Sequence, residues 1–303
     1  MSDNVSIAHL SSRAVIAVGG PDWRSFLQGL LTQDIDTLGD GEIRFGALLT
    51  PQGRLLYDLF VVGRDDGALL DVAAEHRDVL LQKLVMYRLR AKVEITPNDT
   101  RVMVAFEPLP PAGRGWGGGA NADASETTPP PPPPTPSPQG GGGYMPDPRL
   151  SELGWRGYGT FEATTNEAAY NAHRLSLGIP GPADWGSEKT YPIEANFDLL
   201  NGIDFKKGCF VGQETTSRMK RRGMIKSRML PLVFDGPPPA PGSEVLAGEL
   251  RAGETLSGVP GRAMALLRLD RSAAGGLTAE GRAMRVEHPE WFQNATSQDV
   301  VVS

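Results

Sequence analysis

The sequence predicts a mixed α+β protein with a small antiparallel β-barrel at its C-terminal end. Three observations predict this class. Hairpin-forming apolar runs alternate with amphipathic helices up to residue 106, and the same mixture resumes near Leu150. After Lys226 only short β segments remain, separated by Gly/Pro turns.

In chain order, Val15–Val18 reads as a short strand ending at Gly19-Gly20. Asp22 stands at an N-cap position, and Trp23, Phe26, Leu27, Leu30 and Leu31 follow the i, i+3, i+4, i+7, i+8 pattern of an amphipathic helix closing near Thr32–Asp34. Gly46–Thr50 and Arg54–Val62 flank Pro51-Gln52-Gly53, which suits a tight hairpin turn. A turn at Asp65–Gly67 leads into a strand over Ala68–Ala73. Glu75–Leu89 predicts a helix with Val79, Leu80, Leu84 and Val85 inward, followed by strands over Lys92–Thr96 and Arg101–Phe106. Further on, Trp155–Gly159 reads as a strand end. Asn166 caps a helix that Gly178 stops, and Glu194–Leu200 reads as a short helix. Met229–Phe234, Glu244–Leu246, Glu249–Leu256, Met264–Leu269 and Ala283–Glu287 have the spacing of a barrel of about six strands.

These readings divide the chain into a first α+β unit (1–107), a Pro/Gly-rich insertion (108–148), a second α+β part (149–226), the barrel (227–292) and a loose tail (293–303). The insertion holds six consecutive prolines, Pro129–Pro134. It buries too little apolar surface to offset backbone ordering, so disorder is expected there.

The net charge of −6 disfavours direct nucleic-acid or acidic-membrane binding. No stretch approaches the run of roughly 18 apolar residues that a membrane helix needs. The single cysteine leaves no disulfide partner, and the N-terminus does not read as a secretory signal, so a reducing, cytoplasmic setting is expected. The four histidines lack metal spacing, which leaves no intrinsic metal site in view and a structural role for His173.

The candidate chemistry sits in Lys206-Lys207-Gly208-Cys209-Phe210-Val211-Gly212-Gln213-Glu214. Gly208 and Gly212 permit left-handed backbone beside the sulfur, Lys206 and Lys207 favour a thiolate, and Gln213 and Glu214 open a helix whose N-terminal dipole acts in the same direction. The bland alternative is a small buried residue filling a gap. Downstream, Arg218, Lys220, Arg221, Arg222, Lys226 and Arg228 form a basic run without acids. It suits a polyanion, but on charge alone a solvated linker into the barrel is the favoured reading. Asp58 and Glu214 are the carboxylates available for acid–base work.

Lys207–Glu214 resembles the Lys-Gly-Cys-aromatic-x-Gly-Gln-Glu signature of the YgfZ family, which is related to the aminomethyltransferase of the glycine cleavage system. Phe26–Asp34, Leu175–Pro180, Pro192–Asp198 and Ser217–Gly223 resemble its flanking runs. The resemblance implies two α+β units and a barrel in a cloverleaf-like arrangement around a central cavity. It implies tetrahydrofolate as ligand, with Asp58, Gln213 and Glu214 as candidate contacts. It also implies an accessory role in assembling, inserting or maintaining [4Fe–4S] clusters in client enzymes, among them radical enzymes that modify tRNA. Cys209 would act as the functional thiol or transient cluster ligand toward client or carrier proteins, with Lys207, Gly208, Gly212, Gln213 and Glu214 in support. No turnover reaction is implied. The alternative is a tetrahydrofolate-dependent one-carbon transferase or demethylase. Against it, Arg174-Leu175-Ser176-Leu177-Gly178 has a serine where the aminomethyltransferases carry a pterin-binding glutamate.

Overall fold

The computed structural model describes residues 5–108 and 143–299, apart from the single positions 187, 222, 224 and 274. Most of the Pro/Gly-rich insertion and the end of the tail lie outside the described residues.

The chain opens with β1 (Ser6–His9), β2 (Arg13–Gly19) and α1 (Trp23–Leu30). The hairpin β3 (Ile43–Leu49) and β4 (Leu55–Arg64) follows, then β5 (Gly67–Ala73), α2 (Arg77–Tyr87), β6 (Glu94–Asn98) and β7 (Val102–Phe106). The second part carries β8 (Tyr144–Pro146), β9 (Trp155–Tyr158), α3 (Glu167–Ser176), α4 (Pro182–Trp185) and α5 (Gln213–Arg221). The last part carries β10 (Ser227–Val233), β11 (Glu244–Ala247), β12 (Leu250–Val259), β13 (Arg262–Arg268), α6 (Leu269–Ser272), β14 (Leu277–Ala279), β15 (Arg282–Val286) and α7 (Glu290–Asp299).

These strands make a five-stranded sheet in the order β3-β4-β5-β2-β6, a four-stranded sheet in the order β1-β7-β9-β8, and a closed barrel β10-β13-β12-β11-β14-β15. The α+β class with a C-terminal antiparallel barrel is therefore observed. β4 is apolar almost throughout because both faces of its sheet are covered. On one face Leu59 and Val61 pack with Leu27 of α1 and with Leu80 and Leu84 of α2. On the other, Leu55 and Phe60 join Phe197, Phe210 and the barrel residues Met229 and Met264 in one cluster. Val15 and Val62 of this sheet meet Val104 and Phe106 of the smaller one.

Buried charge ties these layers. Asp71 of β5 is fully buried, and its carboxylate accepts from Arg13 Nε of β2 (2.6 Å), Arg156 Nη1 of β9 (2.8 Å) and the Tyr158 hydroxyl (2.9 Å). Arg13 also donates to Asp58 of β4 at 2.6 Å. Burial first, then the Asp71 carboxylate, push the Tyr158 phenol well above its ordinary pKa, so it stays a donor.

Several expectations are corrected. Asp22 does not cap α1 with its side chain; its carboxylate accepts from the Lys92 amide at 2.7 Å. Val79 and Val85 of α2 point to solvent, and only Leu80 and Leu84 are buried in that helix. Glu194–Leu200 is a run of turns: Asn196 takes a left-handed φ of 61°, which a continuous helix forbids. The last residues of the expected disordered insertion pair with β9 as β8. The tail forms α7, pinned by the Trp291 indole donating to the Leu177 carbonyl at 2.9 Å. The three-residue β14, hidden after Gly275-Gly276, was not anticipated. The Asn166 cap stands: its side chain accepts from the Ala169 amide at 3.0 Å.

His173 lies buried on Phe106 with ring centroids 4.9 Å apart, and its Nε2 meets the Glu152 carbonyl at 2.9 Å. Burial holds its pKa below the ordinary imidazole value, against that bond. A depressed folded pKa means that the unfolded chain takes up the proton first, so stability is lost as pH falls below about 6.5. His173→Leu should therefore show a smaller loss of unfolding free energy between about pH 7.5 and pH 5.5 than the wild type, by urea titration at each pH. Asp71→Ala strands two buried guanidinium groups. Its unfolding free energy should fall by about 3–5 kcal/mol in the same assay.

Candidate functional site

The Cys209 loop is built by clamps on both sides of the cysteine. Upstream, the Asp204 carboxylate accepts from the Lys206 amide (2.7 Å) and the Lys207 amide (3.2 Å), and the Asp204 amide donates to the Thr32 carbonyl at 2.9 Å. Lys207 Nζ then donates to three carbonyls at the end of α1: Gln28 (2.8 Å), Leu31 (2.6 Å) and Gln33 (2.8 Å). A cation at a helix C-terminus meets both the unpaired carbonyls and the negative end of the dipole. Burial pushes the Lys207 ammonium down to about 8, against the pull of Asp34, Asp204 and Asp36, so it is charged at neutral pH.

Downstream, Phe210 is buried against Phe45, Leu49 and Phe197, which contributes roughly 1.5–3 kcal/mol for such a side chain. Gly212 has φ +81°, and a Cβ there would lie 2.6 Å from the Thr50 carbonyl oxygen in the β3–β4 turn. Gly53, also left-handed at φ +80°, faces back: its Cβ would lie 2.9 Å from Thr215 Cβ. The hairpin turn and the start of α5 thus fit only through two glycines.

Between the clamps Gly208 and Cys209 are exposed. The gap-filling alternative for Cys209 is thereby removed. Gln213 and Glu214 open α5 as expected, Glu214 in solvent, and neither side chain has a hydrogen bond or ion pair among the described residues. Two supporting roles change. The Lys207 ammonium, its three donors engaged by carbonyls at and just past the end of α1, has the further task of holding the loop in place. Gly208 needs no left-handed backbone and has open space around it.

The basic run divides. Arg218, Lys220 and Arg221 lie exposed on α5, with Lys220 Nζ 4.8 Å from the Phe205 ring centroid. Arg222 lies outside the described residues. Arg228 is buried and paired with Asp198 at 2.8 Å, so it belongs to the barrel junction.

Asp58 stands in a second place, a narrow slot that Arg13, Arg149, Arg156, Tyr170 and Arg174 also line. Sequence reading missed Arg13, Arg149 and Arg156; a lone charge inside an apolar strand, as at Asp58 and Asp71, was the available signal. Arg149 pairs with Asp147 at 2.8 Å, and against the upward push of burial it holds that carboxyl below the usual range. The slot encloses about 40 Å³, whereas pockets for drug-sized ligands run from about 300 Å³. The Asp58 carboxylate is engaged by Arg13, and the Ser176 hydroxyl donates to its own helix at His173 (2.6 Å). As arranged, these residues do not fit a pterin. Among the described residues no group of three or more His, Cys, Asp or Glu side chains is placed to hold a metal ion.

The fold defined by these parts is aminomethyltransferase-like. The crystal structure of the glycine cleavage system aminomethyltransferase T from Bartonella henselae superposes with a TM-score of 0.72 over 95% of this chain and 86% of that one, at 17% identity, which is a likeness of fold. Residues 226–294 match the family model of the CAF17 C-terminal beta-barrel domain. The mitochondrial iron–sulfur cluster assembly factor IBA57 of Mus musculus is 30% identical, across 94% of this chain and 85% of that protein. The Neurospora crassa IBA57 homolog is also 30% identical, over 77% of this chain and 55% of its own length. The chain belongs to the IBA57 family of iron–sulfur cluster assembly factors. It spans only 55% and 60% of the two fungal relatives from Neurospora crassa and Mycosarcoma maydis. These relatives are mitochondrial, which overturns the expectation of a cytoplasmic protein.

The clamps predict a graded response. Lys207→Ala and Gly212→Ala should each raise amide exchange across residues 204–214 about tenfold or more, by hydrogen–deuterium exchange mass spectrometry, with the barrel unchanged. Gly208→Ala should leave that pattern at the wild-type level.

Proposed function

We propose that this protein is an iron–sulfur cluster assembly factor in which Cys209 supplies one thiolate to a cluster shared with a partner. The observation that carries the reading is the exposed Cys209 on a loop rigidly clamped on both sides. Clusters take four protein ligands, mostly cysteine thiolates. This chain offers one cysteine, so the remaining ligands come from the protein that brings or receives the cluster. The resemblance of Lys207–Glu214 to the YgfZ signature and the names of the relatives support the same role. The clients are [4Fe–4S] enzymes, radical enzymes that modify tRNA among them.

Within this reading Lys207, Phe210 and Gly212 fix where the sulfur stands, Gln213 and Glu214 start the helix behind it, and Arg218, Lys220 and Arg221 steer an acidic partner toward it. The reading routes no step through tetrahydrofolate: the slot beside Asp58, as arranged, encloses only about 40 Å³. The one-carbon alternative loses its candidate base, because the Asp58 carboxylate is engaged by Arg13.

Cys209→Ser should fold with an unchanged melting temperature. In cells lacking the endogenous homologue it should leave the activity of a [4Fe–4S] client enzyme about tenfold below that supported by the wild type, the order of loss for removing one metal ligand or its support. Wild-type client activity in that variant would falsify the proposal.

A further inference from the structure

We propose that the outer face of α1, together with the C-terminal tip of α2, is the docking surface for the protein that completes the cluster on Cys209. The partner's matching surface carries an apolar contact flanked by carboxylates. The inference rests on the thiol reading above and adds where the partner sits.

The tip of α2 is built against its own comfort. The helix ends at Tyr87 with Arg88 as C-cap, and the next residue, Leu89, takes φ +46°. That is the left-handed position past a helix end where glycine is the unstrained residue. Leu89 is also 88% exposed, so its side chain gains nothing within the molecule for the strain it keeps. Val79 and Met86, seven residues apart on one face of α2, are exposed behind it, with Val85 beside them. Arg90 and Lys92 flank the tip, exposed and without an ion pair among the described residues, while Arg88 reaches only the Val93 carbonyl, at 3.4 Å. The acids of this element, Glu75 and Asp78, sit at its other end against His76 and Arg77. An apolar wedge with unpaired cations calls for an apolar contact with carboxylates around it.

α1 places this wedge beside the thiol. At the start of α1 the Asp22 carboxylate accepts from the Lys92 amide at 2.7 Å, and a Cβ on Gly20 would lie 2.6 Å from the Lys92 carbonyl oxygen. At its end, Lys207 holds the Cys209 loop through the Gln28, Leu31 and Gln33 carbonyls. The helix between is eight residues long, or about 12 Å. Its exposed outer positions are Ser25 and Gly29, and a Cβ on Gly29 would touch nothing within 4 Å. Internal packing therefore does not account for a glycine that weakens the helix. It leaves a flat shelf, open to close approach. A partner of ordinary footprint, about 800 Å² per side, covers wedge, shelf and thiol together.

Leu89→Gly makes the test clean, because it relieves strain while deleting the contact. The experiment compares Leu89→Gly, Gly29→Gln, Arg90→Glu/Lys92→Glu and Cys209→Ser in cells lacking the endogenous homologue, with [4Fe–4S] client activity as readout. Each purified variant is assayed for melting temperature and for the rate of Cys209 alkylation. Leu89→Gly should melt at or above the wild-type temperature and keep the wild-type alkylation rate. Client activity should fall about fivefold or more in Leu89→Gly, Gly29→Gln and the charge-reversed pair, the order of effect of losing an interface anchor. Full client activity in these three, beside a loss in Cys209→Ser, overturns the docking surface and leaves the thiol reading standing. Full activity in Cys209→Ser removes the thiol reading itself. Unaffected client activity, together with wild-type but not Leu89→Gly retention on phosphatidylcholine vesicles containing phosphatidylglycerol, overturns the proposal and assigns the wedge to a lipid surface.

Discussion

A single carboxylate, that of Asp71, holds the layers of this protein in register. It accepts from a β2 arginine, a β9 arginine and a β9 tyrosine at a fully buried position. Two sheets that otherwise meet through apolar contacts thereby acquire one permitted alignment, because a buried guanidinium tolerates no slip away from its acid. The alignment has a consequence for the slot beside Asp58. Arg13 reaches Asp71 and Asp58 together, so the interaction that orders the sheets also occupies the Asp58 carboxylate. What remains free for function lies at the opposite edge of the hairpin, where the β3–β4 turn meets α5.

The fold class was legible because each part announces its period. The 3.6-residue spacing of Trp23, Phe26, Leu27, Leu30 and Leu31 and the turn chemistry of Pro51–Gly53 need no tertiary information, and both elements are present, the helix ending at Leu30 without the Asp22 side-chain cap. The misreadings share a cause. Val79 and Val85 are apolar, yet they face outward, and composition cannot distinguish a residue kept for the core from one kept for a partner. Glu194–Leu200 has helical composition, but the buried Asn196 side chain is drawn to the Met229 carbonyl and Arg228, which outweighs local propensity. β14 is three residues long and exists only because the barrel closes around it.

The site was legible in its residues and not in their division of labour. Gly212 takes the left-handed backbone and Gln213 opens the helix as read, with Cys209 exposed beside them. The task of Lys207 was invisible, because its three acceptors are backbone atoms contributed by a stretch near the start of the chain. Backbone carbonyls carry no sequence signature, so charge proximity within the motif suggested a role in tuning the thiol when the ammonium is engaged elsewhere. Arg13, Arg149 and Arg156 of the slot were missed for a related reason: each is unremarkable in its own segment, and the pattern exists only after the sheets have met.

The clamp on the thiol also has a temporal meaning. Lys207 closes onto α1 across separations of 174, 176 and 179 residues. Contacts of such span form late, after the loop-closure entropy of the intervening chain has been overcome. During synthesis α1 must wait for the ribosome to deliver more than half of the protein before its C-terminal carbonyls find their cation. The geometry around Cys209 thus requires the first α+β part and the Lys207 segment to have met. A partner that engages only the clamped loop would pass over a chain in which that clamp has not formed, even where the motif is present. Quality control of the thiol's surroundings is in this sense written into the topology.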